Sequence, residues 1–136
     1  MKDRSFFDTN VLVYLYSEDE PGKRKIAYSL LLTEEPIITI QVLKEFTNIL
    51  HKKYFVEWQK IKNAIDEILP FFTFFPTEIN EIKAAISLAE KYRYSFYDSL
   101  IIASALEANC KILYSEDMHS NQIIDKKLKI FNPFSK

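Results

Sequence analysis

Residues 5–15 read Ser5-Phe6-Phe7-Asp8-Thr9-Asn10-Val11-Leu12-Val13-Tyr14-Leu15. Ser5-Phe6-Phe7 suits a short strand that ends at Asp8. A helix then starts near Thr9-Asn10, with Val11, Leu12 and Leu15 apolar. The unit is strand, acid, helix, and the rest of the chain keeps alternating in the same way.

Pro21-Gly22 breaks this first helix, and Lys23 to Leu32 reads as a second. Pro36-Ile37-Ile38-Thr39 is a short buried strand, and Thr39 is placed to cap a third helix running to about Lys53. Trp58, Ile61, Ile65, Ile68 and Leu69 recur at helical spacing until Pro70. Phe71 to Phe75 suits a strand, and Thr77 is placed to cap a helix carrying Ile79, Ile82, Ile86 and Leu88. Ser95 opens a very apolar helix through Leu106. Lys111-Ile112-Leu113-Tyr114 is a strand, and Lys129-Ile130-Phe131 is the candidate for a last one. Strands alternating with helices predict an α/β fold with a mostly parallel sheet. In such sheets ligands bind beyond the carboxyl ends of the strands.

Composition narrows the function classes. The 136 residues fit one domain spanning 1–136. Gly22 is the one glycine in the chain, where average usage would give about nine or ten. Dinucleotide-binding and Walker A loops need several glycines for close backbone approach to phosphate, so both are excluded. With Cys110 as the one cysteine, no intrachain disulfide or thiolate zinc site can form. His51 and His119 are not at ligand spacing. Met1-Lys2-Asp3-Arg4 is followed too soon by Asp8 for a signal peptide, and no apolar run is long enough to span a membrane. A reduced, cytoplasmic location is the expectation. A net charge of -1 argues against binding nucleic acid through overall positive charge. It does not argue against a nuclease built on a few carboxylates.

Four carboxylates have apolar neighbours. Asp8 lies between Phe6-Phe7 and Val11-Leu12-Val13. Glu45 sits in Val42-Leu43-Lys44-Glu45-Phe46, on the border of the face formed by Val42, Leu43, Phe46, Ile49 and Leu50. Asp98 sits in Phe96-Tyr97-Asp98-Ser99-Leu100-Ile101-Ile102, and Asp117 follows a strand in Tyr114-Ser115-Glu116-Asp117. Converging carboxylates repel by roughly 4 kcal/mol per pair at about 4 Å and an effective dielectric near 20. Protons or a cation must neutralise such a cluster. All-oxygen ligands without His or Cys suit Mg²⁺ or Mn²⁺, and a metal so held suggests phosphodiester hydrolysis.

Each acid also has a plainer reading. Asp8 alone fits a helix cap, and Ser95-x-x-Asp98 fits a capping box. Glu45 alone fits a surface partner of Lys52 or Lys53, and Asp117 an ordinary turn residue. The lysine clusters at 23–25, 52–53 and 126–127 fit solvated faces. The joint order of the acids on a strand–helix frame is what favours a shared site.

Four segments carry a resemblance. Phe7-Asp8-Thr9-Asn10-Val11-Leu12, Gln41-Val42-Leu43-Lys44-Glu45-Phe46, Tyr97-Asp98-Ser99-Leu100-Ile101-Ile102-Ala103-Ser104-Ala105 and Leu113-Tyr114-Ser115-Glu116-Asp117-Met118 resemble the four motifs of PIN-domain ribonucleases. Within these the chain most resembles the VapC-type toxins of bacterial toxin–antitoxin pairs. The resemblance implies a three-layer α/β/α sandwich with a central, mostly parallel sheet. It implies Mg²⁺- or Mn²⁺-dependent endoribonuclease activity, in which metal-activated water leaves 5′-phosphate and 3′-hydroxyl ends. Carried over, Asp8 and Asp98 ligate the metal most directly and Asp117 completes the acidic site. Glu45 binds through water or helps activate the nucleophile. Asn10 and Ser115 match support positions that hold carboxylates by hydrogen bonds, and Thr9 fits a cap of the first helix. The resemblance further implies a homodimer and a cognate antitoxin.

Two positions depart from the pattern. Asn121 stands where similar toxins often carry Gly, and Asn is the next best residue for a left-handed turn. Glu116 and Asp117 are both acidic, and the Ser-x-Asp spacing favours Asp117 as the one facing the metal. Setting four site carboxylates aside moves the remainder from -1 to +3, a basic rim that suits an RNA backbone. Tyr14, Tyr16 and Phe55 are candidates for stacking on exposed bases. The competing readings are a housekeeping PIN-type RNA-processing nuclease, a haloacid-dehalogenase-like phosphatase, and a non-catalytic module that kept the fold. The phosphatase needs a second Asp where Asn10 stands.

Overall fold

The computed structural model describes residues 3–135; Met1, Lys2 and Lys136, at the ends of the expected 1–136 domain, lie outside the described residues. A six-stranded sheet forms the centre. Its strands are β1 (Arg4–Phe7), β2 (Glu35–Ile38), β3 (Thr73–Phe74), β4 (Ile112–Tyr114), β5 (Ile123–Ile124) and β6 (Leu128–Phe131). Their order across the sheet is β3-β2-β1-β4-β6-β5. All neighbours are parallel except the β5–β6 hairpin. The six helices are α1 (Thr9–Tyr14), α2 (Pro21–Thr33), α3 (Ile40–Lys52), α4 (Trp58–Ile68), α5 (Ile79–Tyr92) and α6 (Phe96–Glu107).

The sequence explains the central position of β1. Phe6 and Phe7 point to opposite faces, as successive strand residues do, and both are 0% exposed. A strand buried on both sides must lie inside a sheet covered by helices. The chain leaves β1 for β2 and then β3, and returns across the sheet to β4. Right-handed crossovers therefore put α1–α4 on one face and α5–α6 on the other. Packing agrees: α1 touches α2 and α3, α3 touches α4, and α5 touches α6. Helix α6 has no polar face; Ser99 to Ala105 are all buried, as expected of a helix that is apolar all round. Among the described residues no helix is long and apolar enough to cross a membrane.

Several local expectations are corrected. Pro21-Gly22 starts α2 rather than only breaking α1. Proline fits the first helical turn, where its missing N–H has no partner to lose. The segment Phe71–Phe75 is not one strand: Leu69–Phe71 forms a 3₁₀ turn, leaving β3 only two residues. The N-cap of α5 is Glu78, not Thr77, with the Glu78 N–H donating to Glu81 at 3.0 Å. Thr39 does occupy the N-cap of α3, but its buried hydroxyl makes no hydrogen bond. Strand β5 is too short to leave a periodic signal.

With one glycine available, other residues take the left-handed positions. Phe55, Arg93, Asn109, Asn121, Asp125 and Lys126 all have positive φ. Asn121 adopts φ 72, the turn expected of it. Asp125 and Lys126 form the turn between β5 and β6, closed by the Lys127 N–H donating to the Ile124 carbonyl at 3.0 Å. Two successive positive φ values match the twist of a hairpin.

Gly22 is misplaced by comparison. It lies in the first turn of α2 without a positive φ, and nothing lies within 4 Å of where a Cβ would stand. Gly22→Ala removes freedom from the unfolded chain at no steric cost. It should raise stability by about 0.4–1 kcal/mol, read as an increase of roughly 2–4 °C in melting temperature.

Candidate active site

The seam between β1 and β4 is where the chain reverses its direction across the sheet, and open α/β sheets form their crevice at such a switch point. Asp8 follows β1 at this seam, and its N–H donates to the Tyr114 carbonyl of β4 at 3.0 Å. It is also the N-cap of α1, with Oδ1 accepting from the Thr9 N–H at 2.7 Å. Thr9 itself is the first helical residue, and its buried hydroxyl has no partner, so the expectation that Thr9 caps the helix is corrected. The second Asp8 oxygen accepts from Ser115 Oγ at 2.8 Å. Both carboxylate oxygens are thus held, and the residue is only 7% exposed.

The other acids approach from separate elements. Glu45 lies in α3, half-buried, with Oε1 accepting from Gln41 Nε2 at 2.9 Å. Gln41 also donates to the Tyr97 carbonyl at 3.3 Å, tying α3 to the start of α6. Asp98 is in the first turn of α6, where its N–H donates to Ser95 Oγ at 3.1 Å. Among the described residues the return half of that capping box is absent, so the Asp98 carboxylate is not used up in holding the helix. Asp117 is exposed at the rim and accepts from Asn10 Nδ2 at 2.5 Å. Glu116 points elsewhere, bonded to Lys23 at 2.6 Å and to Tyr14 at 2.5 Å.

The charges of the four acids are coupled. Burial pushes the Asp8 carboxyl up to about 6; the Ser115 and Thr9 bonds oppose this, and the charges of Asp98 and Glu45 add to it. Burial likewise raises Glu45, with Gln41 opposing and Asp98 adding. Asp98 is raised by burial, opposed by Ser95 and reinforced by Asp117. Asp98 therefore feels or acts on each of the other three. The donor set is all oxygen, which fits a hard divalent cation. Among the described residues, no three acidic, histidine or cysteine side chains are already close enough to enclose an ion.

Two supporting groups escaped the sequence reading. Gln41 stands four residues before Glu45, a spacing at which helix side chains meet, so its signal was available. Tyr94 had no local signal. Its hydroxyl accepts from the His119 N–H at 3.0 Å and donates to Gln122 at 2.6 Å, pinning the loop that follows Asp117. Of the stacking candidates, Tyr14 and Tyr16 are partly buried and hydrogen-bonded, whereas Phe55 is 84% exposed.

The family profile described as PIN domain matches residues 5–123. The chain belongs to the PIN domain family. No curated protein matches it. Among solved structures, a toxin–antitoxin complex from Klebsiella pneumoniae is similar with TM-score 0.72 and 21% identity, covering 97% of this chain and 99% of that one. VapC20 of Mycobacterium tuberculosis, described as a sarcin–ricin-loop-cleaving toxin, has TM-score 0.69 and 15% identity, covering 83% and 89%. VapBC2 of Rickettsia felis, bound to a DNA fragment from its promoter, has TM-score 0.64 and 16% identity, covering 95% and 99%. At these identities the likeness is one of fold: the mostly parallel six-stranded sheet flanked by helices described above matches the PIN fold.

The buried Asp8 charge has a measurable consequence. A carboxyl that binds its proton more tightly when folded stabilises the fold fully below its unfolded value near 3.8. That contribution is lost as pH rises through about 6. The difference corresponds to roughly 3 kcal/mol. Asp8→Asn keeps an N-cap side chain and removes the charge. Without added metal it should raise the melting temperature by several degrees at pH 8, with the gain shrinking at pH 4. Equal gains at both pH values would refute the buried-charge account.

Proposed function

We propose that this PIN domain is a divalent-metal-dependent endoribonuclease and the toxin of a toxin–antitoxin pair. The observation that carries the reading is the buried carboxylate of Asp8 and its coupling to the other acids. Both Asp8 oxygens are hydrogen-bonded, the charges of Asp98 and Glu45 act on it, and Asp117 acts on Asp98. The toxins of similar fold support the biological role.

In this reading Asp8, Asp98 and Asp117 hold Mg²⁺ or Mn²⁺, and Glu45 holds it through water or draws a proton from the attacking water. A bound ion supplies a water of lowered pKa and neutralises charge on the phosphoryl oxygens. Ser115 fixes Asp8, Asn10 fixes Asp117 and Gln41 fixes Glu45, so the carboxylates need little reorganisation on binding. Water oxygen bonds to phosphorus, the bond to the 3′ oxygen breaks, and that oxygen leaves with a proton from solvent. The products are a 5′-phosphate and a 3′-hydroxyl, with no covalent enzyme intermediate.

The expected partners are an RNA with an exposed loop, a cognate antitoxin and a second copy of this chain. Ile79, Ile82 and Ile86 are exposed at the spacing of one face of α5, which supports self-association. The unpaired, buried Cys110 accords with a reducing, cytoplasmic setting.

Purified protein should cleave structured RNA with Mg²⁺ and stop in EDTA. Supporting partners alone cost about 10–100-fold when removed, so Asp98→Asn, at the hub of the pocket, should lower the rate more than about a hundredfold. Unchanged cleavage by that variant would reject the site. Mg²⁺ at about 100 times its Kd should add roughly 2.7 kcal/mol to stability, and a melting temperature flat across the titration would argue against a metal site. Growth arrest on expression, relieved by a neighbouring antitoxin gene, separates a toxin from a housekeeping nuclease.

A further inference from the structure

We propose that Lys23 is a positioning residue of the acidic pocket. Paired with Glu116, it holds that carboxylate against α1 and leaves Asp117 as the one of two adjacent acids that faces Asp98. The inference rests on the metal-site reading above.

Three consecutive residues after β4 are each tied to the first strand–helix unit. Ser115 Oγ donates to Asp8 at 2.8 Å, Glu116 accepts from the Tyr14 hydroxyl at 2.5 Å, and Asp117 accepts from Asn10 at 2.5 Å. Asn10 and Tyr14 stand four residues apart on α1 and so share a face. Either acid of the loop has a donor there, and polar contacts alone do not decide which one turns to the pocket.

Charge decides it. Lys23 Nζ donates to Glu116 Oε2 at 2.6 Å and to the Tyr14 hydroxyl at 3.2 Å. The same ammonium lies 4.7 Å from the centre of the Tyr14 ring and 5.8 Å from that of Phe134. Those two rings pack edge to face at 4.9 Å. One carboxylate and two aromatic faces make a seat for a cation, which corrects the expectation of a merely solvated lysine. Among the described residues no lysine or arginine pairs with Asp117. The two negative charges of the loop are thus sorted. The protein neutralises one itself and leaves the other for the pocket.

Lys23→Met keeps the length of the side chain and drops its charge. Simple electrostatics predicts that removing a cation near an anionic pocket tightens Mn²⁺ binding. Positioning predicts the reverse: Glu116 is released, Asp117 is displaced from Asn10, and Mn²⁺ affinity measured by calorimetry falls about 10–100-fold. Lys23→Arg should stay within a few-fold of the parent, and Lys23→Met with Glu116→Gln should recover most of the loss. A metal-free crystal structure of Lys23→Met should show Glu116 away from Tyr14 and the Asn10–Asp117 bond broken. Unchanged or tighter Mn²⁺ binding, or Glu116 still in place, would overturn the proposal. Lys23→Leu, which likewise has no donor, carries the same expectations should the methionine variant fail to fold. If the parent protein binds no Mn²⁺, it is the metal reading that falls, and the metal-free structure decides the role of Lys23 by itself.

Discussion

A carboxylate is sealed into the seam between the two central strands, and much else in the molecule accommodates it. Asp8 follows β1, caps α1 and accepts from Ser115, which follows β4. Removing an ionised group from water is costly unless its lone pairs are met, and here both oxygens have donors. These bonds lower the cost without cancelling it, because burial still dominates the proton affinity of the group. Such a position is hard to justify for stability alone, and perturbed carboxyls of this kind cluster at functional sites.

The remaining acids are arranged around that fixed point with graded access to solvent. Glu45 and Asp98 are half-buried and Asp117 is exposed. Asp8 is the buried member of the set and Asp117 the solvent-facing one. Three of the acids have a neutral side-chain donor to the carboxylate, Ser115 for Asp8, Gln41 for Glu45 and Asn10 for Asp117, while Ser95 accepts from the Asp98 backbone N–H. The adjacent Glu116 is withdrawn by Lys23 and Tyr14. Helices that cover the sheet thus also carry groups that orient acids, Asn10 on α1 and Gln41 on α3.

Much of this was legible in the amino-acid order. The doubly buried Phe6-Phe7 pair and the alternation of short apolar runs with helical spacing were enough to give a parallel α/β sheet, because both are local patterns. The borderline place of Glu45 on the face of α3 was readable by helical geometry, and the structure leaves it half-buried. Other features were hidden for physical reasons. Strand β5 and the 3₁₀ turn at Leu69–Phe71 are too short for periodicity, and tertiary contacts define them. Glu78 rather than Thr77 caps α5 because Glu81 reaches back to it, a choice between two plausible caps that propensity does not decide. The Tyr94 link to His119 and the Lys23 link to Glu116 join residues 25 and 93 positions apart, and no spacing rule reaches across such gaps.

The scarcity of glycine leaves its own mark on the loops. Left-handed geometry at Phe55, Arg93 and Lys126 is adopted by side chains that pay for it in steric crowding. The same side chains narrow the conformations open to the denatured chain, so connectors that look irregular are stiffer than glycine-rich ones of equal length. For protein engineering this is an unspent reserve. Reshaping these corners one at a time offers a way to tune the rigidity of the connectors without substituting any of the four acids.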